Sequence, residues 1–97
     1  MPSYVAIIED AGPDTAIGVW FPDLPGCFSA GDTLDDALRN APQAIALYAE
    51  ALEEVGKSLP RPRSLQALRN DPDFATDIQD NMVAVVARQE PFSSAAE

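Results

Sequence analysis

The sequence predicts an α+β domain with three short strands, a long helix and a final strand, in the order β-β-β-α-β. Two segments rich in β-forming residues flank a Gly-Pro turn, and an apolar stripe at helical spacing follows from 34 to 55. A continuous apolar run then covers Met82–Ala87. A chain of 97 residues has room for one such domain. We expect it to span residues 1–88, with a mobile Ser/Ala-rich tail at 89–97.

The three N-terminal strands are predicted to form an antiparallel meander. Residues 4–8 and 15–21 read as a hairpin, because the segment 10–14 between them is rich in turn-forming residues. Residues 27–30 are short and lie between two glycines. We therefore predict a third strand there, at the edge of the sheet.

The long helix is predicted to begin at Leu34 and to end at Gly56. Thr33 has the residue type and position of an N-cap, and the acidic residues that follow it favour the positive end of the helix dipole. Pro42 lacks the N–H that the helix needs, so a bend or a break is expected there. The apolar stripe consists of Leu34, Leu38, Ala41, Ile45, Tyr48, Leu52 and Val55.

The segment after the helix is predicted to be extended at 59–63, where prolines alternate with other residues. Ser64 is a suitable cap for a short helix over Leu65–Arg69, and Pro72 favours a further helical turn. Because Met82–Ala87 is apolar throughout, we expect a strand that is fully covered rather than one at a sheet edge.

A right-handed crossover from the meander through the helix would lay the last strand parallel to the first. The helices would then cover only one face of the sheet. The other face, with Trp20 or its neighbours on it, would stay partly bare, which makes self-association through that face or an edge a reasonable expectation.

Charge is distributed unevenly along the chain. The formal net charge is −10, and residues 1–38 contain acidic side chains but no Lys or Arg. Because nucleic-acid binding requires clustered cations, this half of the chain favours a basic partner instead. Acidity that only keeps a small protein in solution is the alternative explanation.

The residues of known catalytic chemistries are mostly missing. No histidine is present, which excludes Ser-His-Asp and Cys-His catalysis and histidine-based metal sites. Glu9 and Asp10 could begin a two-metal carboxylate cluster, but the last strand and the inward helix face supply no further acid, so they read as the start of a turn. Cys27 has no basic neighbour and reads as a small buried hydrophobe. We expect no enzyme activity, no cofactor and no metal.

The segment 21–37 carries a resemblance to a known family. It contains Phe-Pro-Asp-Leu-Pro-Gly-Cys at 21–27, Gly-Asp-Thr at 31–33 and an acidic helix start at 35–36. This order and spacing resembles the N-terminal domain of the HicB antitoxins, the partners of bacterial HicA toxins that cleave mRNA. The likeness extends back to the strand at 4–9 and forward to Pro60-Arg61-Pro62, and it is looser beyond that point.

The resemblance implies a fold and a role. The fold would be a partial ribonuclease-H-like sheet with strand order 3-2-1-4, and the chain would bind and inhibit a small basic HicA-like toxin. HicB antitoxins usually carry a C-terminal DNA-binding domain, whereas this chain ends about ten residues after its last predicted strand. We therefore expect no direct nucleic-acid binding. With no secretory signal and no apolar stretch of membrane length, a cytoplasmic location is expected.

The residues around the double-proline turn allow two compatible interpretations. They are a structural corner in which Asp23 binds backbone amides, or a rigid loop that docks a toxin with little loss of entropy. The residues predicted to bind the partner are Trp20, Phe21, Pro22, Asp23, Leu24, Pro25, Gly26 and Asp32.

Three functions are compared. The first is an antitoxin that forms a homo-oligomer, a dimer or a tetramer, and catalyses no reaction. The second is an orphan module of the same family that oligomerises or binds another protein and has no toxin partner. The third, a metal-dependent ribonuclease-H-like enzyme, ranks last because its ligands are missing.

Overall fold

The structure is a computed structural model that describes residues 2–89. These residues form one four-stranded sheet and three helices. The sheet has the order β3-β2-β1-β4. Of the predicted tail at 89–97, only Gln89 lies within the described residues, and the domain boundary at 88 stays a prediction. The elements are β1 (Ser3–Glu9), β2 (Ile17–Trp20), β3 (Phe28–Gly31), α1 (Leu34–Glu54), α2 (Leu65–Arg69), α3 (Ala75–Asp80) and β4 (Met82–Ala87).

The antiparallel meander predicted for the first three strands is confirmed. β1 pairs with β2 so that Ile7 lies opposite Trp20, and β2 pairs with β3, which forms one edge of the sheet. In the turn between β1 and β2, the backbone N–H of Gly12 donates to Asp10 Oδ1 at 3.1 Å. Gly12 has φ 131°, a conformation that side-chain-bearing residues rarely adopt.

The predicted orientation of the last strand is wrong, because β4 runs antiparallel to β1. Six residues pair, from Ser3 opposite Ala87 to Ile8 opposite Met82. The crossover rule applies when a helix returns the chain directly to the starting end of the sheet. Here α1 does so, and then the 57–80 segment with α2 and α3 takes the chain back again, so β4 enters from the opposite end.

The expectation that helices cover only one face of the sheet is also wrong, although Val85 on the second face is still exposed. Tyr4, Ala6 and Ile8 pack in the core cluster that includes the buried face of α1. Val5 and Ile7 point to the other side, into a second cluster with Leu68 of α2 and Ile78 of α3. β1 is therefore buried on both faces, and the five consecutive apolar residues from 4 to 8 are the sequence signature of that position.

The long helix has the predicted start and a well-defined end. The Thr33 side chain accepts a hydrogen bond from the backbone N–H of Asp36 at 3.1 Å. After Val55, the N–H of Gly56 donates to Glu53 and that of Lys57 to Leu52, and Gly56 has φ 77°. These two bonds form a Schellman motif, which requires a left-handed residue at this position.

α1 continues through Pro42 as one helix, so a break is not what the structure shows. Ala41 and Ile45, on either side of the proline, are fully buried against the sheet. Burial of apolar surface around the proline offsets the hydrogen bond that Pro42 cannot donate.

Candidate functional site

The double-proline turn is a closed corner, which we define as residues 21–26. The N–H of Leu24 donates to Phe21 and the N–H of Cys27 to Leu24, at 3.1 and 3.0 Å. Phe21 and Leu24 are buried in the core cluster between the sheet and α1, and Gly26 has φ 88°. The corner is thus fixed both by its own backbone turns and by two apolar anchors.

Asp23 is held inside the protein by Arg63, forty residues away. The Asp23 side chain is only 8% exposed. Its Oδ2 accepts from the backbone N–H of Arg63 and its Oδ1 from Arg63 Nε, both at 2.7 Å. Both carboxylate oxygens are therefore satisfied within the chain, one by a backbone amide, as the structural interpretation predicts, and the other by a guanidinium.

Arg63 joins the corner to the segment before α3. Its second contact is from Nη1 to Asp71 Oδ2 at 2.9 Å, and its guanidinium lies 5.6 Å from the ring centre of Phe74. The hydrogen bonds to Asp23 and then to Asp71 raise the pKa of Arg63. The backbone N–H of Asp73, followed by the Arg63 guanidinium, lowers the pKa of Asp71. A single side chain thus connects three segments of the fold.

Two tyrosines hold the neighbouring backbone. The Tyr48 hydroxyl donates to the carbonyl of Pro25 at 2.9 Å, which ties the corner to α1. The Tyr4 hydroxyl donates to the carbonyl of Pro60 in the extended segment that leads to Arg63. Burial, with a smaller contribution from the Asp23 charge, raises the pKa of Tyr4.

Next to the corner lies an exposed apolar surface that sequence reasoning missed. Phe28 is 70% exposed although it follows directly on the buried Cys27. Together with Gly26 and Leu47, it lines a shallow groove of about 310 Å³. We call Gly26, Cys27, Phe28, Ala44, Leu47 and Tyr48 the β3–α1 patch.

The position of Phe28 could have been inferred from strand periodicity. Cys27 and Ser29 are buried, and the Ser29 hydroxyl donates to the carbonyl of Ala37 at 3.0 Å. In a strand the intervening side chain must point the other way, toward solvent. On α1, Glu50 and Glu54 follow Leu47 at spacings of three and seven, so they lie on the same helix face and give the patch an acidic border.

The structure gathers most of the predicted partner-binding residues but exposes few of them. Within the corner, Phe21, Pro22 and Leu24 are buried, whereas Pro25 and Gly26 are exposed.

The other two predicted residues lie away from the corner. The Trp20 indole N–H donates to Glu9 Oε2 at 2.7 Å, and its ring lies 6.2 Å from that of Phe74 on the second sheet face. Asp32 is exposed at the far end of β3, in a groove beside Asp10 of the hairpin turn. Direct partner contact by these residues stays a prediction.

The residues considered for other chemistry have structural partners. Glu9 and Asp10 accept hydrogen bonds from Trp20 and from the turn, and residues 2–89 contain no group of three or more potential ligands that could hold a metal ion. Burial raises the pKa of the Cys27 thiol to about 11. A thiol with this pKa is protonated at neutral pH and is a poor nucleophile.

A family model described as HicB-like antitoxin of bacterial toxin-antitoxin system matches residues 4–91. The chain belongs to the HicB-like antitoxin family. The family assignment made from the 21–37 motif is therefore confirmed. The match reaches beyond Pro62, where the motif likeness had become loose, and includes α2, α3 and β4.

Two solved structures show the same fold as this HicB-like chain. The N-terminal domain of the Burkholderia pseudomallei antitoxin HicB superposes with a TM-score of 0.67 and 27% identity, covering 91% of this chain and 99% of that one. A chain of a HicA3 and HicB3 toxin-antitoxin complex superposes with a TM-score of 0.69 and 29% identity, again over 91% and 99%. The α+β fold with an antiparallel four-stranded sheet and a long helix is thus similar to that of HicB.

The HicB-like chain also matches proteins whose names give no activity. An uncharacterized 14.9 kDa protein from the rep-hol intergenic region of Haemophilus phage HP1 is 37% identical over 83 residues, which is 86% of this chain and 58% of that protein. The UPF0150 protein ssr1765 of Synechocystis is 42% identical over 59 residues, 61% of this chain and 73% of the relative. The chain therefore spans little more than half the length of the phage protein.

None of the helices within residues 2–89 is both long enough and apolar enough to cross a membrane.

Proposed function

We propose that this chain is the antitoxin of a type II toxin-antitoxin system and that it binds and inhibits a small basic HicA-like toxin that cleaves mRNA. The observation that carries the proposal is the family match over residues 4–91, together with the likeness to a chain of a HicA3 and HicB3 complex. The net charge of −10 suits a basic partner, because opposite potentials accelerate association.

The proposed toxin surface combines the corner with the β3–α1 patch. Pro25 and Gly26 are exposed beside Phe28. The aromatic side chain of Phe28 exposes apolar surface to water in the unbound chain. Exposed aromatic residues next to a groove are frequent anchors of protein interfaces. The acidic border supplied by Glu50 and Glu54 would face the cations of the toxin and favour the correct orientation.

The remaining predicted residues have two separate tasks in this proposal. The buried Phe21, Pro22 and Leu24, with the Asp23 carboxylate bound to Arg63, keep the corner in one shape before the toxin arrives. Trp20 and Asp32 lie outside the patch, and we propose that they contact the toxin only at its border.

Further parts of the role follow from inhibition by binding. The chain catalyses no reaction and needs no cofactor in this proposal, and it works in the cytoplasm, where mRNA is cleaved. It acts as a homo-oligomer and does not bind nucleic acid directly, since the acidic half repels phosphates. The description of the fold as partial ribonuclease-H-like belongs to the same proposal and implies no nuclease activity.

Co-expression with any small basic HicA-like protein that is encoded next to this chain tests the proposal. We expect the two proteins to co-purify and growth arrest by the toxin to be relieved. Phe28→Lys should weaken rescue, because it places a cation in the apolar patch, whereas Val55→Lys at the exposed end of α1 should not. Independent migration of the two proteins and no rescue would reject the antitoxin role and favour the orphan module.

A further inference from the structure

β4 forms an open edge of the sheet that carries none of the usual protection. Within residues 2–89 it pairs only with β1, and its six residues, Met-Val-Ala-Val-Val-Ala, include no charged residue and no proline. Natural edge strands usually avoid pairing with other chains by means of lysines, prolines, bulges or a short length. β4 has six regularly paired residues and no such device.

The opposite edge of the sheet differs from β4. β3 has only four residues, and the Asn40 side chain on α1 donates to the carbonyl of Ala30 at 3.0 Å. In the described part of the chain, no side chain makes a comparable hydrogen bond to the backbone of β4. Val85 is 65% exposed and Met82 is exposed on the opposite face of the same strand. β4 therefore presents both backbone groups and apolar side chains to solvent.

We propose that the β4 edge pairs antiparallel with the β4 edge of a second copy of this chain, which joins two four-stranded sheets into one of eight strands. A strand paired antiparallel with its own copy is related to it by a twofold axis, so the interface is self-complementary and closed. Pairing at β4 would be the interface of the homo-oligomer that we propose above, and the inference rests on that part of the proposed function. The pairing does not require the toxin.

Charge at the ends of β4 supports a second copy as the occupant. Asp80 precedes the strand and Arg88 follows it. The six residues of β4, at roughly 3.3 Å each, separate these two side chains by more than about 16 Å within one copy, so they do not pair there. If Ala84 lies opposite Ala84 of the other copy, the end of β4 that Arg88 follows lies beside the end that Asp80 precedes in the other copy.

The interface would also cover apolar surface beside the strand. A groove of about 430 Å³ between α1 and β4 is lined by Leu38, Pro42, Ala84 and Val86, among others. It adjoins the open edge, so side chains of the second copy can enter it when the sheets join. Backbone pairing and burial of this groove together oppose the repulsion between two chains of net charge −10.

Sedimentation velocity of the full chain without toxin tests the proposal. We expect a species of twice the 10.4 kDa chain mass. Val85→Lys should weaken the dimer at least tenfold, because it places a like charge from each copy at the interface. Val55→Lys changes a residue of equal exposure, 67%, on α1 and should leave the dimer intact. A monomer at every concentration would overturn the proposal. The alternative occupant of the β4 edge would then be residues 89–97 of the same chain.

Two further variants test the geometry. Arg88→Asp and Asp80→Arg should each weaken the dimer, and the double charge reversal should restore it. Ala84→Cys should form an intermolecular disulfide under oxidation, whereas Ala30→Cys on β3 should not. A dimer that Val85→Lys leaves unchanged, or that cross-links through residue 30, would contradict pairing at β4. Since toxin is absent throughout, these results are independent of whether the antitoxin role holds.

Discussion

Replacing Arg63 by alanine should remove more stability than any other single charge deletion in the described part of the chain. The change removes the 2.7 Å hydrogen bond from Nε to Asp23, the 2.9 Å bond to Asp71 and the contact with the Phe74 ring. The first matters most, because Asp23 is 8% exposed and keeps only the bond from the backbone of residue 63.

The expected loss can be worked out from these contacts. A hydrogen bond to a charged and largely buried group contributes about 1.5–3 kcal/mol. The exposed pair with Asp71 adds little because solvent screens it, and a partly exposed cation–π contact adds about 0.5 kcal/mol. We therefore expect Arg63→Ala to lower the free energy of unfolding by about 2–4 kcal/mol, which for a domain of this size corresponds to roughly 10–25 °C in Tm.

Urea denaturation followed by the fluorescence of Trp20, the single tryptophan, measures this loss at a fixed protein concentration. The matched control is Arg39→Ala, which removes only a solvent-exposed pair with Asp36 one helical turn away. That change should alter stability by about 0.5 kcal/mol or less. If Arg63→Ala is no more destabilising than Arg39→Ala, Arg63 does not hold the corner.

Three further changes have distinct expected outcomes. Gly31→Ala should lower the free energy of unfolding by about 1–3 kcal/mol, because the new Cβ would lie 2.5 Å from the backbone N of Ala37. In the control Gly18→Ala, the new Cβ meets open space, and equal Tm values for the two variants would contradict this prediction. The Cys27 thiol, with its pKa raised to about 11, should react with thiol reagents at pH 8 only on unfolding, and rapid labelling of the native chain would show it exposed. Because the pKa of Asp71 is lowered on folding, its stabilisation is present above about pH 4 and is lost as the pH falls through the lowered pKa. Asp71→Asn should therefore flatten the acid limb of the stability curve, and an unchanged limb would contradict the assignment.

Local signals predicted the first half of the fold. The turn at Gly12, the N-cap Thr33 and the C-terminal Gly56 each act through residues within a few positions, so sequence alone locates them. Gly31 shows a limit of this approach. Its φ is not in the left-handed region, and it is required instead because the start of α1 passes too close for a side chain.

The route of the chain after α1 could not be predicted in the same way. Whether β4 is parallel to β1 depends on where α2 and α3 pack, and that packing is decided by contacts of Leu68 and Ile78 with a strand some sixty residues earlier. An apolar run such as Met82–Ala87 fits a central strand and an edge strand equally well. The structure places it at an edge, contrary to the expectation of a fully covered strand.

The candidate site was predicted in part. The proline and glycine spacing located the corner, but Asp23 has its partner forty residues away in Arg63, a pairing that no local pattern reveals. The buried members of the corner shape it rather than expose it. The exposure of Phe28, the largest exposed apolar side chain beside the corner, depends on the direction of each side chain in the strand, since its neighbours Cys27 and Ser29 are buried.

Inhibition of a purified toxin tests the central claim most directly. A HicA-like toxin encoded beside this chain would be assayed for cleavage of an mRNA fragment while the purified chain is added in increasing amounts. We predict that cleavage ends near an equimolar ratio and that Phe28→Lys requires at least tenfold more protein, whereas Val55→Lys behaves like the unmodified chain. Undiminished cleavage in the presence of a large excess of folded chain would contradict the antitoxin role.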